Sequence, residues 1–469
     1  MPHLDSPRAA ALAGAARWFD AGELLATLRR RVVVRTESQM RESAPELERY
    51  LTEEIGPDVA RLGFEWAVWT NPVAGAPPML FAQRCENASL PTVLMYGHGD
   101  VVAGYDGQWS GGRSPWKIDV AGKRWYGRGT ADNKGQHTIN LAAIACLLEA
   151  RGRLGFNAKL LIEMGEEVGS PGLRKVCEMR AHELSADVLI ASDGPRLKSD
   201  RPTIFLGSRG ALNFDLSVSL REGAHHSGNW GGLLANPGTI LANAIASLVD
   251  ARGRILVRTL RPPPIPESVR RALAAIEPGE PDGPAIDPGW GEPGLTPAER
   301  AFGWNALEVL AFRTGNPDRP VNAIPARATA HLQMRFVTGC DWRTFVPAIR
   351  AHLDERGFAP VDVRASDSEP MAATRLDPDH PWVRWASASI AATTGAPPAI
   401  LPNLGGSLPN DCFADVLGLP TIWVPHSYPA CSQHAPDEHL LAEVAREGLQ
   451  IMTGLFWDLG EPGGPPPRL

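Results

Sequence analysis

The chain has 469 residues, more than one hydrophobic core usually holds, so two domains are expected. A hydrophobic content of 43% and a charged content of 21% are those of an ordinary globular protein, and 46 basic against 53 acidic residues (net −7) argue against a nucleic-acid partner, which needs a basic face. The six cysteines (85, 146, 177, 340, 412, 431) are scattered without a Cys-x-x-Cys pair, which argues against a disulfide framework and a thiolate zinc site and fits reduced thiols in the cytoplasm.

The Ala-rich start around Asp5 and Arg8 lacks the basic, apolar and cleavage segments of a signal peptide. No run of 18 apolar residues is present, so no membrane contact is expected. Residues 20–33, with Asp20 as N-cap and Leu24, Leu25 and Leu28 on one side, predict an amphipathic helix, and 45–63 a second. After Pro91, strands alternate with helices. The expected strands are 92–96, 158–163 and 187–191; the helices run from Lys134 through Leu148 and from Pro171. That order predicts an α/β sheet with helices on its faces. The pattern changes near Gly207. Residues 211–220 and 326–336 alternate apolar and polar, the latter with Ala330, Leu332, Met334 and Phe336 on one face and His331, Gln333 and Arg335 on the other. Helices are expected at 237–250 and 343–356, and an irregular insertion at the Pro- and Gly-rich 262–297. Helix returns near 380, a buried strand follows at 420–424, and the tail from Glu461 to Leu469 is expected to be disordered.

Five segments carry chemistry. The strand 92–96 ends in Gly97-His98-Gly99-Asp100, and residues two apart in a strand face the same way, so His98 and Asp100 converge. Asp132 lies in the Gly-rich turn Gly127-Arg-Gly-Thr-Ala-Asp132; a helix cap or phosphate loop would also use such a turn, but its order fits neither a dinucleotide fingerprint nor a P-loop. Glu166 and Glu167 follow strand 158–163, and adjacent carboxylates at a strand's end are costly unless a cation or a shared proton stabilises them. Asp193 follows strand 187–191, and His434 lies in the loop Ser432 to Glu438. These positions follow the carboxyl ends of apolar strands, where open α/β sheets place their sites. Two histidines and three or more carboxylates without cysteine suit one or two divalent metals bound through nitrogen and oxygen, such as zinc. A bridged pair needs a shared carboxylate and a non-ligand carboxylate as base, and Glu166 beside Glu167 fits the second need.

Taken together these segments resemble, in order and over nearly the whole chain, the di-zinc metallopeptidase/deacylase family. That family includes carnosinases, cytosolic dipeptidases, aminoacylase-1, acetylornithine deacetylase, succinyl-diaminopimelate desuccinylase and the bacterial glutamate carboxypeptidase. The motifs are nearest to those of its dipeptidase-like members. The resemblance implies a zinc-exopeptidase-type catalytic domain, 1–206 and 372–469, with a central mixed sheet flanked by helices. It implies an inserted α+β lid and dimerisation domain at 207–371, and hence a homodimer. It also implies two divalent metal ions, Zn2+ with Mn2+ or Co2+ as alternatives. His98, Asp132 and Asp193 resemble ligands, with Asp132 as the bridge and a cis bond from Asp132 to Asn133; Glu167 and His434 resemble those of the other metal. Glu166 resembles the general base and Asp100 the carboxylate that orients His98. Ala224-His-His226-Ser-Gly228 matches the lid segment whose histidine, here His226, contacts the reacting oxyanion in a neighbouring subunit. Asn322, Arg335, Gly406 and Ser407 match substrate-facing positions, and Arg335 suits a carboxylate because its guanidinium forks onto one.

The implied activity is hydrolysis of an amide bond in a small substrate, a dipeptide or related peptide, by water activated between two zinc ions and Glu166. A deacylase acting on an N-acyl amino acid or aryl amide is the alternative. A catalytically silent binding protein on the same fold is disfavoured by the intact Glu166–Glu167 pair. Asp193, where other members have Glu, leans towards substrates with a free amine; Leu404, where carnosinase-like members often carry an acid, leans away, unless Asn410 and Asp411 compensate. Trp109, Trp116 and Trp125 are expected in the core, with an apolar pocket lining as the other option.

Overall fold

The computed structural model describes residues 6–279, 284–366, 370–464 and 466. Its centre is an eight-stranded mixed sheet. In spatial order the strands are Glu65–Trp69, Met79–Arg84, Asn157–Glu163, Thr92–His98, Val188–Ala191, Thr421–Trp423, Thr203–Phe205 and Ala399–Leu401. The four from Asn157–Glu163 to Thr421–Trp423 are mutually parallel, so their carboxyl ends share one edge. Alternate side chains feed two cores. Val93, Met95, Leu160 and Ile162 enter one, with Ile139 and Leu147 of helix Lys134–Arg151 and Leu449 and Met452 of helix Ala442–Leu459. Leu94, Tyr96 and Leu161 enter the other, with Leu173 and Val176 of helix Leu173–Met179. Burial on both faces is why the middles of these strands, Val93–Tyr96 and Leu160–Ile162, are continuous apolar runs.

A second, antiparallel sheet of four strands draws only on residues 210–365. Its order is Ala306–Thr314, Arg327–Phe336, Gly210–Ser219 and Val361–Ala365. Here alternation is strict: in Arg327–Phe336 the buried residues are Ala328, Ala330, Leu332, Met334 and Phe336. They pack on helices Pro237–Leu248 and Phe345–Glu355. Asn236 caps the first of these, its Oδ1 accepting from the N–H of Gly238 at 2.9 Å and Thr239 at 3.3 Å. A small third sheet pairs His439–Leu441 with Arg124–Tyr126 and the latter with Asp119–Ala121, which sets the loop before His439 beside the turn after Tyr126.

Several expectations need correction. Asp20 is the last residue of a helix, Pro7–Asp20, and not the cap of the next one, Glu23–Val33. The 45–63 helix contains a π-helical turn, Tyr50–Ile55, between Ala44–Arg49 and Gly56–Arg61. The segment 262–297 is not wholly irregular: Glu267–Leu273 is helical, its Val269 and Leu273 buried on the second core, and residues 280–283 lie outside the described ones. Of the tail expected to be disordered, Glu461 and Gly464 join in a backbone turn, and 465 and 467–469 lie outside the described residues.

Candidate metal centre

The parallel edge of the large sheet gathers the five segments. Strand Thr92–His98 ends on His98, which is fully buried. Its Nε2 lies 3.0 Å from Asp132 Oδ1 and 3.6 Å from Asp193 Oδ2. The other oxygen of Asp132, Oδ2, lies 2.9 Å from Nε2 of His434, which is also 3.1 Å from Glu167 Oε2. Asp132 thus offers one oxygen to each histidine. Asp132 ends the Gly-rich turn, and the peptide bond to Asn133 is cis, as the resemblance implies. Glu166 and Glu167 open a short 3-10 turn just beyond strand Asn157–Glu163.

Asp100 stands outside the strand yet still meets His98. Nδ1 of His98 is 3.1 Å from the Asp100 carbonyl oxygen and 3.3 Å from its Oδ1. The same carboxylate accepts the backbone N–H of Glu166 at 3.2 Å and of Glu167 at 3.1 Å, so one buried group fixes the histidine and the turn carrying both glutamates.

The electrostatics call for a cation. Burial and then the Asp132 carboxylate push Glu167 up to about 7, and the same two causes push Asp193 up to about 6. Burial, with Asp193 and Glu167 adding to it and His98 opposing, raises Glu166 well above its ordinary range. His434 is pushed up to about 11 by the Asp132 and then the Glu167 carboxylate. Asp132 is held low against its burial by His434 and His98. Glu167 Oε1 and Asp193 Oδ2 are buried and accept no hydrogen bond from a described residue. His98, Asp132 and Glu167 can each aim one ligand atom within 4.8 Å of the others. Crowded carboxylates with free lone pairs, flanked by two imidazoles, fit divalent ions bound through nitrogen and oxygen.

These residues open into a cavity of about 520 Å3. Asp132, Glu166, Asp193 and His434 form one end, and Arg335, Gly406 and Ser407 line it farther out. Arg335 Nη1 donates to Ser407 Oγ at 2.7 Å, and Ser407 Oγ donates to the Arg209 carbonyl at 2.7 Å. His226 and Asn322 are not brought here. Both are exposed, His226 in the segment His225–His226 and Asn322 just before that segment's partner, Ala323–Ile324, and neither lines the cavity of its own chain. Asn410 does not stand in for a missing acid: it is buried and bonded to Thr374, Thr421 and Trp423. Asp411 pairs with Arg174 and does not line the cavity. Trp109, Trp116 and Trp125 are buried in packing away from the cavity, as expected of core residues.

Two residues of the His434 loop are absent from the sequence-based site. Gln433 Nε2 donates to Asp132 Oδ2. Glu438, fully buried, accepts the backbone N–H of Ala131 (2.9 Å), Asp132 (3.1 Å) and Gly129 (3.2 Å) and the Arg128 guanidinium (2.7 Å). It binds the two loops that deliver His434 and Asp132. Its signal in the sequence is position alone, an acid four residues after a candidate ligand.

The family model described as peptidase family M20/M25/M40 matches residues 94–458. A cysteinylglycine-S-conjugate dipeptidase of Corynebacterium striatum is 25% identical over 366 residues, 76% of either chain. A human Beta-Ala-His dipeptidase is 33% identical over 184 residues, 39% of this chain and 36% of that protein. Among solved structures, human carnosine dipeptidase 1 superposes with a TM-score of 0.77 at 22% identity, covering 98% of this chain and 99% of that one. The M20 metallo-carboxypeptidase Sso-CP2 of Sulfolobus solfataricus gives 0.76 at 26% identity, over 92% and 98%.

Proposed function

Since the chain belongs to peptidase family M20/M25/M40 and is a peptide-bond hydrolase, we propose that it is a metal-dependent dipeptidase working with two divalent ions, zinc in the first place and Mn2+ or Co2+ as alternatives. His98, Asp132 and Asp193 would hold one ion, and Asp132, Glu167 and His434 the other, with Asp132 shared. The observation that carries this is the division of Asp132: one oxygen against each histidine, with Glu166 lining the same cavity. When bound, the ions would polarise the scissile carbonyl and make water at the site more acidic.

The chain's own groups supply the rest. Glu166 takes the proton of the attacking water and passes it to the leaving nitrogen; its position in the cavity and its raised affinity for a proton suit both transfers. Asp100 holds His98 and the N–H groups of Glu166 and Glu167, so ligand and base keep a fixed relation. Arg335, set by Ser407, receives the substrate carboxylate, and Gly406 and Ser407 present polar backbone and hydroxyl groups beside it.

His226 and Asn322 then act on a second copy of the chain, through residues 207–371 as a lid and dimerisation domain. Supporting this, strand Ala306–Thr314 lies at the edge of its sheet and exposes Val309 (43%), Leu310 (58%) and Phe312 (44%), an apolar edge that a monomer would not leave uncovered. All six cysteines are free thiols, in keeping with a reducing, cytoplasmic setting, and no helix among the described residues is long and apolar enough to cross a membrane.

Leu404 in the cavity wall favours one second reading, a deacylase of N-acyl amino acids, whose substrates lack a free amine. A mixed panel of dipeptides and N-acyl amino acids, incubated with zinc-loaded protein and read by mass spectrometry, separates the two. Cleavage of free-amine dipeptides supports the dipeptidase; cleavage of N-acyl compounds alone makes it a deacylase; intact substrates in both classes would overturn both.

A further inference from the structure

The wall between the metal end and Arg335 is hydrocarbon. Gly194 directly follows Asp193, and a Cβ placed on it would lie 3.1 Å from Leu404 Cδ2 and 3.5 Å from Phe205 Cε2. A Cβ on Gly406, one residue before Ser407, would lie 3.7 Å from the same Leu404 methyl, and one on Gly405 would lie 3.6 Å from Phe302 Cε1. Leu404 therefore spans the gap from the Asp193 turn to the turn that holds Arg335 through Ser407. Leu197 and Leu401 extend the surface. The lining carboxylates among the described residues, Asp132, Glu166 and Asp193, all lie at the metal end. Besides Arg335 the lining contains Arg196, whose Nε donates to the Pro425 carbonyl at 3.2 Å and whose Nη1 pairs with Glu447, while Nη2 is buried without a hydrogen-bond partner among the described residues.

We infer that the residue bearing the substrate's free carboxylate has an apolar side chain, aliphatic or aromatic, seated against Leu404, Phe205 and Phe302. This rests on the proposed placement of that carboxylate on Arg335, because a residue held there with its amide at the metal end must lie alongside Leu404. A charged or strongly polar side chain seated against Leu404, Phe205 and Phe302 gives up its water to hydrocarbon, and a shorter side chain forfeits contact with the wall. Phe302 ends helix Pro297–Phe302, so residues from inside 207–371 and from outside it build one pocket. A dipeptide and an N-acyl amino acid share this half of the molecule, so the selectivity holds for either substrate class.

The test uses full-length, zinc-loaded protein and glycyl dipeptides ending in Leu, Phe, Ser, Asp or Lys. Free Leu, Phe, Asp and Lys are titrated in parallel by thermal shift. Expected is a kcat/KM for the Leu and Phe dipeptides about tenfold or more above the Ser, Asp and Lys ones. Leu404→Asp should cut that ratio about tenfold and raise turnover of the Lys dipeptide. Phe302→Ser, on a different element, should lower the Phe dipeptide most and serves if Leu404→Asp does not fold. Equal kcat/KM across the five dipeptides, or ratios unmoved in the folded variants, would overturn the inference while leaving a dipeptidase. No cleavage, with Leu and Phe alone raising Tm, would sink the dipeptidase and keep the pocket. No cleavage and no selective shift would remove both.

Discussion

At the scale of single residues, the centre joins groups that would repel one another without a cation. Glu166 is distinct because none of the proposed ligand sets includes it. Glu166→Gln keeps the shape and removes the proposed base, so turnover should fall by about 10²–10⁴-fold while zinc per chain, read by atomic emission, stays at the wild-type value. Normal turnover in that variant would remove Glu166 from the mechanism. A second titrating group lies deeper. His426 is fully buried, with Nε2 3.1 Å from Ser192 Oγ and Nδ1 without a partner among the described residues. Burial first, and Arg196 second, hold it well below the ordinary imidazole range, so the folded protein keeps it neutral. The unfolded chain binds a proton there below about pH 6.5, so stability is lost as pH falls through that value. At pH 5.5 this group alone costs about 1.4 kcal/mol, and His426→Asn should remove that part of the acid dependence in urea unfolding. An unchanged slope would show that His426 titrates alike in the folded and unfolded chains.

At the scale of elements, Glu438 links two loops that lie far apart in the chain, its partner Arg128 being 310 residues away. Arg128 and Glu438 are each 1% exposed, so neutralising one leaves the other buried without its partner. Glu438→Gln should lower stability by about 3–5 kcal/mol and weaken metal affinity by about 10–100-fold through Asp132. Adding Arg128→Met should restore stability but not affinity; recovery of both would reduce Glu438 to an ion-pair partner. Elements and site are unequally legible. His98, Asp132, Glu167, Asp193 and His434 stand out in the sequence because each follows a strand or a glycine-rich turn, and the structure brings all five together. Glu438 and Gln433 act through contacts between distant loops, which spacing does not encode. Strands Thr203–Phe205 and Ala399–Leu401 are too short to show a period, and Ala306–Thr314 hides its alternation behind a bulge between Val309 and Ala311 and an apolar exposed edge. Helix Pro7–Asp20 is so rich in alanine that it lacks a clear polar face, although Ser6, whose Oγ accepts from the N–H of Ala9 at 3.2 Å, marks its start. Helix Ala442–Leu459, by contrast, carries an apolar stripe at helical spacing, Val444, Leu449, Met452, Leu455, Phe456 and Leu459, which its sequence does show.

At the scale of the whole molecule, His226 is the test of assembly. If it serves a partner's site, His226→Ala should lower kcat far more than it raises KM. Mixing equal amounts of His226→Ala and Glu166→Gln chains should then recover about a quarter of wild-type activity, because half the dimers are mixed and each holds one complete site. No recovery from inactive parents that do exchange subunits would place His226 in its own chain's chemistry. The interrupted large sheet has a consequence for biosynthesis. Its strands come from residues 65–205 and 399–423, whereas the four-stranded sheet closes within 210–365. A ribosome therefore finishes the middle sheet while the outer one still lacks two strands and His434, and domains fold as their last contacts emerge. Nascent chains stalled after residue 371 should resist protease across 207–371 and fail to retain zinc, whereas chains extended beyond 441 should keep that resistance and retain zinc as well. Metal capture would then mark the completion of folding.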